Sequence, residues 1–145
     1  MRLRIEYLPS YDRSWGDIKK AHDTDAGFDL RTTEDVWIAP QSFTSIPLGI
    51  KTEFPEGYEA QLRARSGISK SFGIGLTNGV GTIDAGYRGE WRALFSNPTP
   101  VWVQLKRGDR VCQVVFNKLP DVEIEEGSVS DNDNRGGGFG STGVK

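Results

Sequence analysis

The 145-residue sequence contains one cysteine, one histidine and no apolar run long enough to cross a bilayer. A single cysteine excludes an internal disulfide and favours a reducing compartment, so we expect a cytoplasmic protein. One cysteine and one histidine also exclude the Cys/His zinc sites, including the zinc site of nucleotide deaminases. The opening residues MRLRIEYLPSYD lack the apolar segment of a signal peptide, so none is expected.

Excess charge of either sign is also missing. The net charge is −2, from 18 Lys and Arg against 20 Asp and Glu. This composition lacks the basic surface that nucleic acid or an anionic membrane requires, so we expect neither partner. A local basic cluster that binds a small anion remains compatible with the composition.

Short alternating runs of apolar and polar residues predict an all-β fold. RLRIEY, IPLGIKTEF, YEAQLRA and EWRALFSN each place their apolar residues on one face, and RVCQVVF is nearly continuous, as in a buried central strand. No segment predicts a long helix, although SWGDIKKA or ISKSF could form one or two turns. We therefore expect a β-sandwich, jelly roll or barrel over residues 1–126.

Residues 127–145 have a different character and are predicted to form a C-terminal arm. The stretch NRGGGFGSTG (134–143) contains five glycines and too little apolar surface to fold alone. It is either a loose tail or a flap that orders on a ligand. GFGSTG has the spacing of a dinucleotide-binding fingerprint, but too few residues follow it to form the required helix, so that function is excluded.

Two segments suggest contacts to phosphate. In RARSG, Arg65 offers a fork of donors, Ser66 a hydroxyl and Gly67 an accessible backbone N–H. The alternative is an ordinary turn after a strand. In GDRVCQ, Gln113 lies within an apolar run, where an unpaired amide costs about 1–3 kcal/mol, so it must face a polar partner or a site.

Two further segments contain acidic residues among glycines. In NGVGTIDAGYRGE (78–90), Asp84 is a candidate general base and Tyr87 a candidate platform for a sugar, unless this is a hairpin with a surface aspartate. In DTDAGFDL (23–30), three aspartates have the chemistry to bind Mg²⁺, unless they form a solvated turn. The acids are Asp23, Asp25 and Asp29.

Together these segments resemble the five motifs of the trimeric dUTPase family. AGFDL, RSG, GTIDAGYRGE, GDRVCQ and RGGGFGSTG occur in the family's order, between about residue 21 and residue 143. The resemblance implies a jelly-roll-like β domain, a homotrimer with active sites between subunits, and an arm that closes over a neighbouring site. It also implies Mg²⁺-dependent hydrolysis of dUTP to dUMP and pyrophosphate.

The resemblance also implies residue roles. Asp84 would orient and deprotonate the attacking water, Arg135 would act on the phosphates, and Asp29 would hold a water on Mg²⁺. The implied phosphate contacts are Arg65, Ser66, Gly67, Gln113, Ser141 and Thr142. The implied uracil and deoxyribose contacts are Asn78, Gly81, Thr82, Ile83, Tyr87 and Phe139. Two positions depart from the family pattern: Ala64 replaces a common proline, and Gly86 replaces a common acid.

Two other functions are alternatives for a chain with these motifs. A dCTP deaminase of similar fold would need a catalytic glutamate at the position of Leu94, which cannot transfer a proton. A nucleotide-sensing protein that binds a regulatory partner stays open, with residues 9–17 or the tryptophan-rich surface as the contact.

Overall fold

The computed structural model describes residues 1–132, 136–138 and 140–144. Within them the chain forms eleven strands and one short α-helix, α1 (Ser66–Phe72). The strands are β1 (Arg4–Tyr7), β2 (Phe28–Arg31), β3 (Val36–Ile38), β4 (Ser42–Pro47), β5 (Ile50–Glu53), β6 (Tyr58–Ala64), β7 (Gly75–Leu76), β8 (Val80–Asp84), β9 (Arg92–Asn97), β10 (Val103–Leu105) and β11 (Arg110–Lys118). The all-β prediction is confirmed.

All strand pairs in the described residues are antiparallel. A four-stranded sheet has the order β2-β11-β6-β8 and a three-stranded sheet the order β4-β9-β7, while β1 pairs with β5 and β3 with β10. The apolar run RVCQVVF lies in β11 between two neighbours, so its prediction as a central strand is confirmed.

The alternating apolar residues form the core between these sheets. Trp91, Ala93 and Phe95 are buried together, as the period of two in EWRALFSN predicts. The apolar residues of IPLGIKTEF are also buried, but the run forms two strands, β4 and β5, instead of one. Gly49 interrupts it with φ +69°, a backbone conformation that side chains rarely adopt.

Helical structure is confined to short pieces. ISKSF contributes to α1, which ends at Gly73 in the left-handed conformation. SWGDIKKA contributes only Ser14 and Trp15 to one 3₁₀ turn, Arg13–Trp15, which is capped by Gly16 with φ +77°. In the described ranges the helices are too short to cross a membrane.

The chain after β11 runs along the surface. Residues 119–132 are exposed and contain no strand or helix. Val122 and Ile124 are 68% and 92% exposed, unusual for two apolar residues so close in sequence. The domain boundary between residues 126 and 127 stays a prediction.

Candidate active site

Three neighbouring strands and the start of α1 bring polar side chains into one cleft. Gln113 of β11 is opposite Asp29 of β2 on one side and Arg63 of β6 on the other. Arg65 follows the end of β6, and Ser66 begins α1. Asp29, Arg65, Ser66 and Gln113 therefore line a common cleft of about 250 Å³.

The cleft has an ion-paired cluster at its base. The Asp29 carboxylate accepts hydrogen bonds from Arg65 Nε at 2.8 Å and from Arg110 Nη1 at 2.9 Å, and its side chain is only 18% exposed. Arg65 Nη1 also donates to the Arg110 carbonyl oxygen at 3.3 Å. Two guanidinium groups share one carboxylate, so the cluster keeps a net positive charge and fixes both forks in place.

Arg110 belongs to this cluster, although the sequence motifs alone indicate no role for it. The sequence feature that is consistent with a role for Arg110 is its position in GDRVCQ, directly after a tight turn and three residues before Gln113. The cross-strand contact that joins it to Asp29 depends on the register of β11 against β2, which is interrupted by a bulge between Arg110 and Cys112.

The first turn of α1 adds backbone donors to the cleft. The Ser69 N–H bonds to the Arg65 carbonyl, so the N–H groups before it have no acceptor within the helix. A Cβ placed on Gly67 would meet no atom within 4 Å, and Gly67 has no left-handed φ. The fold of this chain therefore does not require glycine at position 67, and its backbone is open to the approach of another group.

Gly27, by contrast, is required by the site itself. A Cβ at this position would lie 2.6 Å from Gln113 Oε1 and 3.3 Å from Gln113 Cβ. In the described part of the chain no group hydrogen-bonds the Gln113 side-chain amide, although Gln113 is partly buried. The amide therefore faces the cleft and is available to a polar ligand.

The acidic residues of DTDAGFDL do not form an all-protein metal site. No group of three His, Cys, Asp or Glu side chains in the described residues is arranged to hold a metal ion. Asp25 lines the cleft with Asp29, and the His22 backbone N–H, which bonds to its carboxylate, lowers the pKa of Asp25. Two carboxylates suit Mg²⁺ that keeps water and takes its other ligands from a phosphate chain.

Asp84 lies away from this cleft in the same chain. β8 pairs with β6 so that Asp84 is opposite Glu59, whereas Gln113 and Asp29 are in the row of Arg63. The two rows are four residues apart, or about 13 Å along the strand. The remaining hairpin residues implied to contact the nucleoside lie within β8 or in the segments that flank it: Asn78, Gly81, Thr82, Ile83 and Tyr87.

The hairpin presents Tyr87 in a fixed position. The Tyr87 hydroxyl donates to the Glu90 carbonyl at 3.0 Å, and its backbone N–H donates to the Asp84 carbonyl at 3.0 Å. A Cβ on Gly89 would collide with the Tyr87 hydroxyl oxygen, so Gly89 allows the ring to lie over the backbone. Gly89 was given no role from the sequence, since its requirement depends on a side-chain position.

The arm is only partly described. Ser141 and Thr142 are exposed in a glycine-rich turn, where Ser141 Oγ accepts from the Gly138 N–H at 2.8 Å. Neither lines the cleft within the described residues. Arg135 and Phe139, the other two arm residues with implied roles, lie outside the described residues.

Cys112 is a core residue, as expected from the apolar run. It is fully buried, and burial raises the pKa of the Cys112 thiol to about 12. The thiol is therefore not a nucleophile near neutral pH.

Comparisons with known proteins agree with the sequence motifs. A family model described as dUTPase matches residues 13–143. A deoxyuridine 5'-triphosphate nucleotidohydrolase of Clostridium tetani is 45% identical, over 85% of this chain and 86% of that protein. The SPbeta prophage-derived deoxyuridine 5'-triphosphate nucleotidohydrolase of Bacillus subtilis is 39% identical over the full length of both chains.

Solved structures share the fold. The dUTPase of Staphylococcus bacteriophage 80alpha with dUPNHPP superposes with a TM-score of 0.87 at 25% identity, over 99% of each chain. A point mutant of the dUTPase of S. aureus phage phi11, described with a structural Mg(II) ion, has a TM-score of 0.79 at 23% identity, over 90% of this chain and 99% of that one.

Proposed function

This chain belongs to the dUTPase family, and from that premise we infer that it hydrolyses dUTP to dUMP and pyrophosphate. The observation that carries the proposal is the ion-paired cluster at the cleft, in which Arg65 and Arg110 are both held by Asp29. The Arg65 fork, the Ser66 hydroxyl and the Gln113 amide in one cleft, with Arg110 beside them, have the chemistry to bind a triphosphate.

Each cleft residue has a role in this proposal. Arg65 and Arg110 offset the charge of the phosphate oxygens, where negative charge changes during attack at the α-phosphate. Ser66, the Gly67 N–H and the Gln113 amide hold the phosphates in place. Mg²⁺ bound with the triphosphate would supply further charge neutralisation, and Asp29, with Asp25 beside it, would hold the ion through water.

The β8 hairpin supplies the base and the nucleoside contacts. Asp84 orients the attacking water and takes its proton. The backbone from Gly81 to Ile83, with Asn78, recognises uracil, and the Tyr87 ring lies under the deoxyribose. Phe139 stacks on uracil, while Arg135, Ser141 and Thr142 of the arm contact the phosphates when the arm closes and excludes water.

We propose that assembly into a homotrimer brings the cleft residues and the β8 hairpin residues into one site. Within one chain about 13 Å of strand separates the row of Asp84 from the cleft, too far for both to act on one phosphate.

The reaction is tested by pyrophosphate release. dUTP, dTTP, dCTP and UTP are compared with Mg²⁺ and then with chelator. Rapid, Mg²⁺-dependent release from dUTP alone is expected, because the hairpin excludes the thymine methyl and Tyr87 excludes the 2′-hydroxyl. Tight dUTP binding without release would contradict the proposal, and ammonia release from dCTP would indicate deamination.

The shared site is tested by mixing two inactive variants, Arg65→Ala and Asp84→Asn. If one site takes Arg65 from one copy and Asp84 from another, chains refolded together at equal amounts should recover about a quarter of wild-type activity. Each variant refolded alone is the control. No recovery in mixed particles would place both residues on one chain, and light scattering checks that three copies assemble.

A regulatory partner is the second candidate role. Trp37 and Trp102 are 58% and 61% exposed, with ring centroids 6.4 Å apart, so the chain presents an aromatic pair to solvent. A stable complex with a second protein that dissociates on addition of dUTP would support this role. The cytoplasmic location stays a prediction.

A further inference from the structure

Residues 9–17, PSYDRSWGD, form a compact loop that packs on the turn before β11; we name it the aromatic loop. Within it the rings of Tyr11 and Trp15 meet edge to face at a centroid distance of 5.2 Å. The Tyr11 hydroxyl closes the loop by donating to the Gly16 carbonyl at 3.0 Å. Tyr7 of β1 anchors it, with its ring 4.6 Å from that of Tyr11.

The indole ring of Trp15 packs directly against Gly108, the middle residue of the turn Arg107–Asp109. A Cβ on Gly108 would lie 3.3–3.4 Å from three atoms of the indole ring, and Gly108 has φ +90°. The Gly108 carbonyl accepts from Arg31 Nη1 at 2.6 Å. The turn is therefore held between the indole ring and a guanidinium group of β2.

Arg107 ties the same turn to the aromatic loop. Its guanidinium is 5.1 Å from the Trp15 ring centroid, and it donates to Asp12 Oδ2 and to the Ser10 carbonyl, both at 3.4 Å. It also donates to the Thr33 carbonyl at 3.0 Å. These contacts fix the conformation of the chain immediately before Arg110.

The aromatic loop also approaches the phosphate cleft itself. Trp15, Lys20, Asp29 and Arg110 line a small cavity of about 70 Å³ that adjoins the cleft at Asp29. The indole ring is thus close to the ion pair of Asp29 with Arg110 and to the turn that leads into it.

We propose that Trp15 is a positioning residue that holds Arg110 ready for the substrate phosphates. The effect passes from the indole ring through Gly108 to Arg110, and from Arg110 through Asp29 to Arg65. Without the ring, the turn gains freedom and Arg110 must be ordered by the substrate, which weakens phosphate binding. This inference rests on the proposed function for the identity of the substrate.

The test compares Trp15→Ala, Trp15→Phe and the control Trp102→Ala, an exposed tryptophan outside the site. We expect Trp15→Ala to raise KM for dUTP about 3- to 10-fold, with kcat within about twofold. Calorimetric Kd values for inorganic pyrophosphate and α,β-imido-dUTP should rise with KM. Phenylalanine should restore most of the affinity, and the control should match wild type.

A double-mutant cycle separates positioning from general destabilisation. In an Arg110→Ala background, Trp15→Ala should cause little further loss of pyrophosphate affinity, since the residue it positions is gone. An equal loss in both backgrounds, or a folded Trp15→Ala protein with wild-type KM and Kd, would overturn the proposal. If Trp15→Ala does not fold, Arg107→Gln with the same measurements replaces it.

The same measurements distinguish the two levels of inference. A wild-type protein that releases no pyrophosphate from dUTP, but whose pyrophosphate affinity depends on Trp15 through Arg110, refutes the proposed function and supports the positioning role. If wild-type protein releases pyrophosphate from dUTP but its pyrophosphate affinity does not depend on Trp15, the proposed function is supported and the positioning role is refuted.

Discussion

Replacing Gly67 with alanine should change stability and activity in opposite directions. The added methyl group meets no atom within 4 Å, and the position lies in the first turn of α1. Alanine is favoured over glycine in a helix by about 0.5–1 kcal/mol, so the variant should be as stable as wild type or slightly more stable. At this chain length the melting temperature should rise by at most about 2–4 °C.

In the proposed function a phosphate approaches the Gly67 backbone N–H, and the added methyl group would hinder that approach. Loss of one hydrogen bond to a charged oxygen is worth about 1.5–3 kcal/mol, which predicts a roughly 10- to 100-fold lower kcat/KM for dUTP. Calorimetric melting and pyrophosphate release measure the two effects. Ser71→Ala is the matched control, because it raises helix propensity on the exposed part of α1 and should leave kcat/KM unchanged. A Gly67→Ala enzyme with wild-type kcat/KM would refute the assignment of this backbone to phosphate.

Three further changes test other parts of the site, and a labelling experiment tests the burial of Cys112. Asp84→Asn should lower kcat by about 10²- to 10⁴-fold while dUTP analogue binding persists, and activity within tenfold of wild type would exclude Asp84 as the base. Asp29→Asn leaves Arg65 and Arg110 without their shared anion, so pyrophosphate affinity measured by calorimetry should fall about tenfold or more. Unchanged affinity would show that the cluster does not contribute to phosphate binding. Deletion of residues 134–145 should remove most activity without changing the oligomeric state. Full activity would refute the hypothesis that the C-terminal arm closes over the active site. The Cys112 thiol, with its pKa raised to about 12 by burial, should react with iodoacetamide at pH 8.5 at least about a hundredfold more slowly than in urea. Only the unfolded chain loses that proton near pH 9, so the free energy of unfolding should fall as pH rises through that range; rapid labelling of native protein would contradict this.

The fold was predictable where one physical rule acts alone. Alternation in EWRALFSN identifies Trp91 and Phe95 as buried, because side chains in a strand alternate between faces. The same rule identifies the apolar residues of IPLGIKTEF as buried, but it does not show that the run is divided into β4 and β5. Gly49 has a positive φ there, and Thr33 Cγ2, from a distant part of the chain, occupies the position that a Cβ would take.

Site residues were predictable to the extent that their chemistry is local. Arg65, Ser66 and Gly67 are consecutive, so the sequence shows their combined donors directly. Arg110 acts through Asp29, 81 positions away, and Gly89 is required by where the Tyr87 ring lies. Neither requirement can be derived from residue type and spacing, because each depends on strand register or on a rotamer.

Strand register separates Asp84 from the phosphate cluster within one chain. β6 is the common neighbour of β11, which carries Gln113, and of β8, which carries Asp84. Its pairings place these two residues in rows four positions apart. A rigid sheet cannot close that separation, because any slip of one residue would turn every buried side chain of β8 to the opposite face. We therefore infer that the base and the phosphate cluster meet across a boundary between copies, and that boundary must bring the β8 hairpin of one copy over the cleft of another.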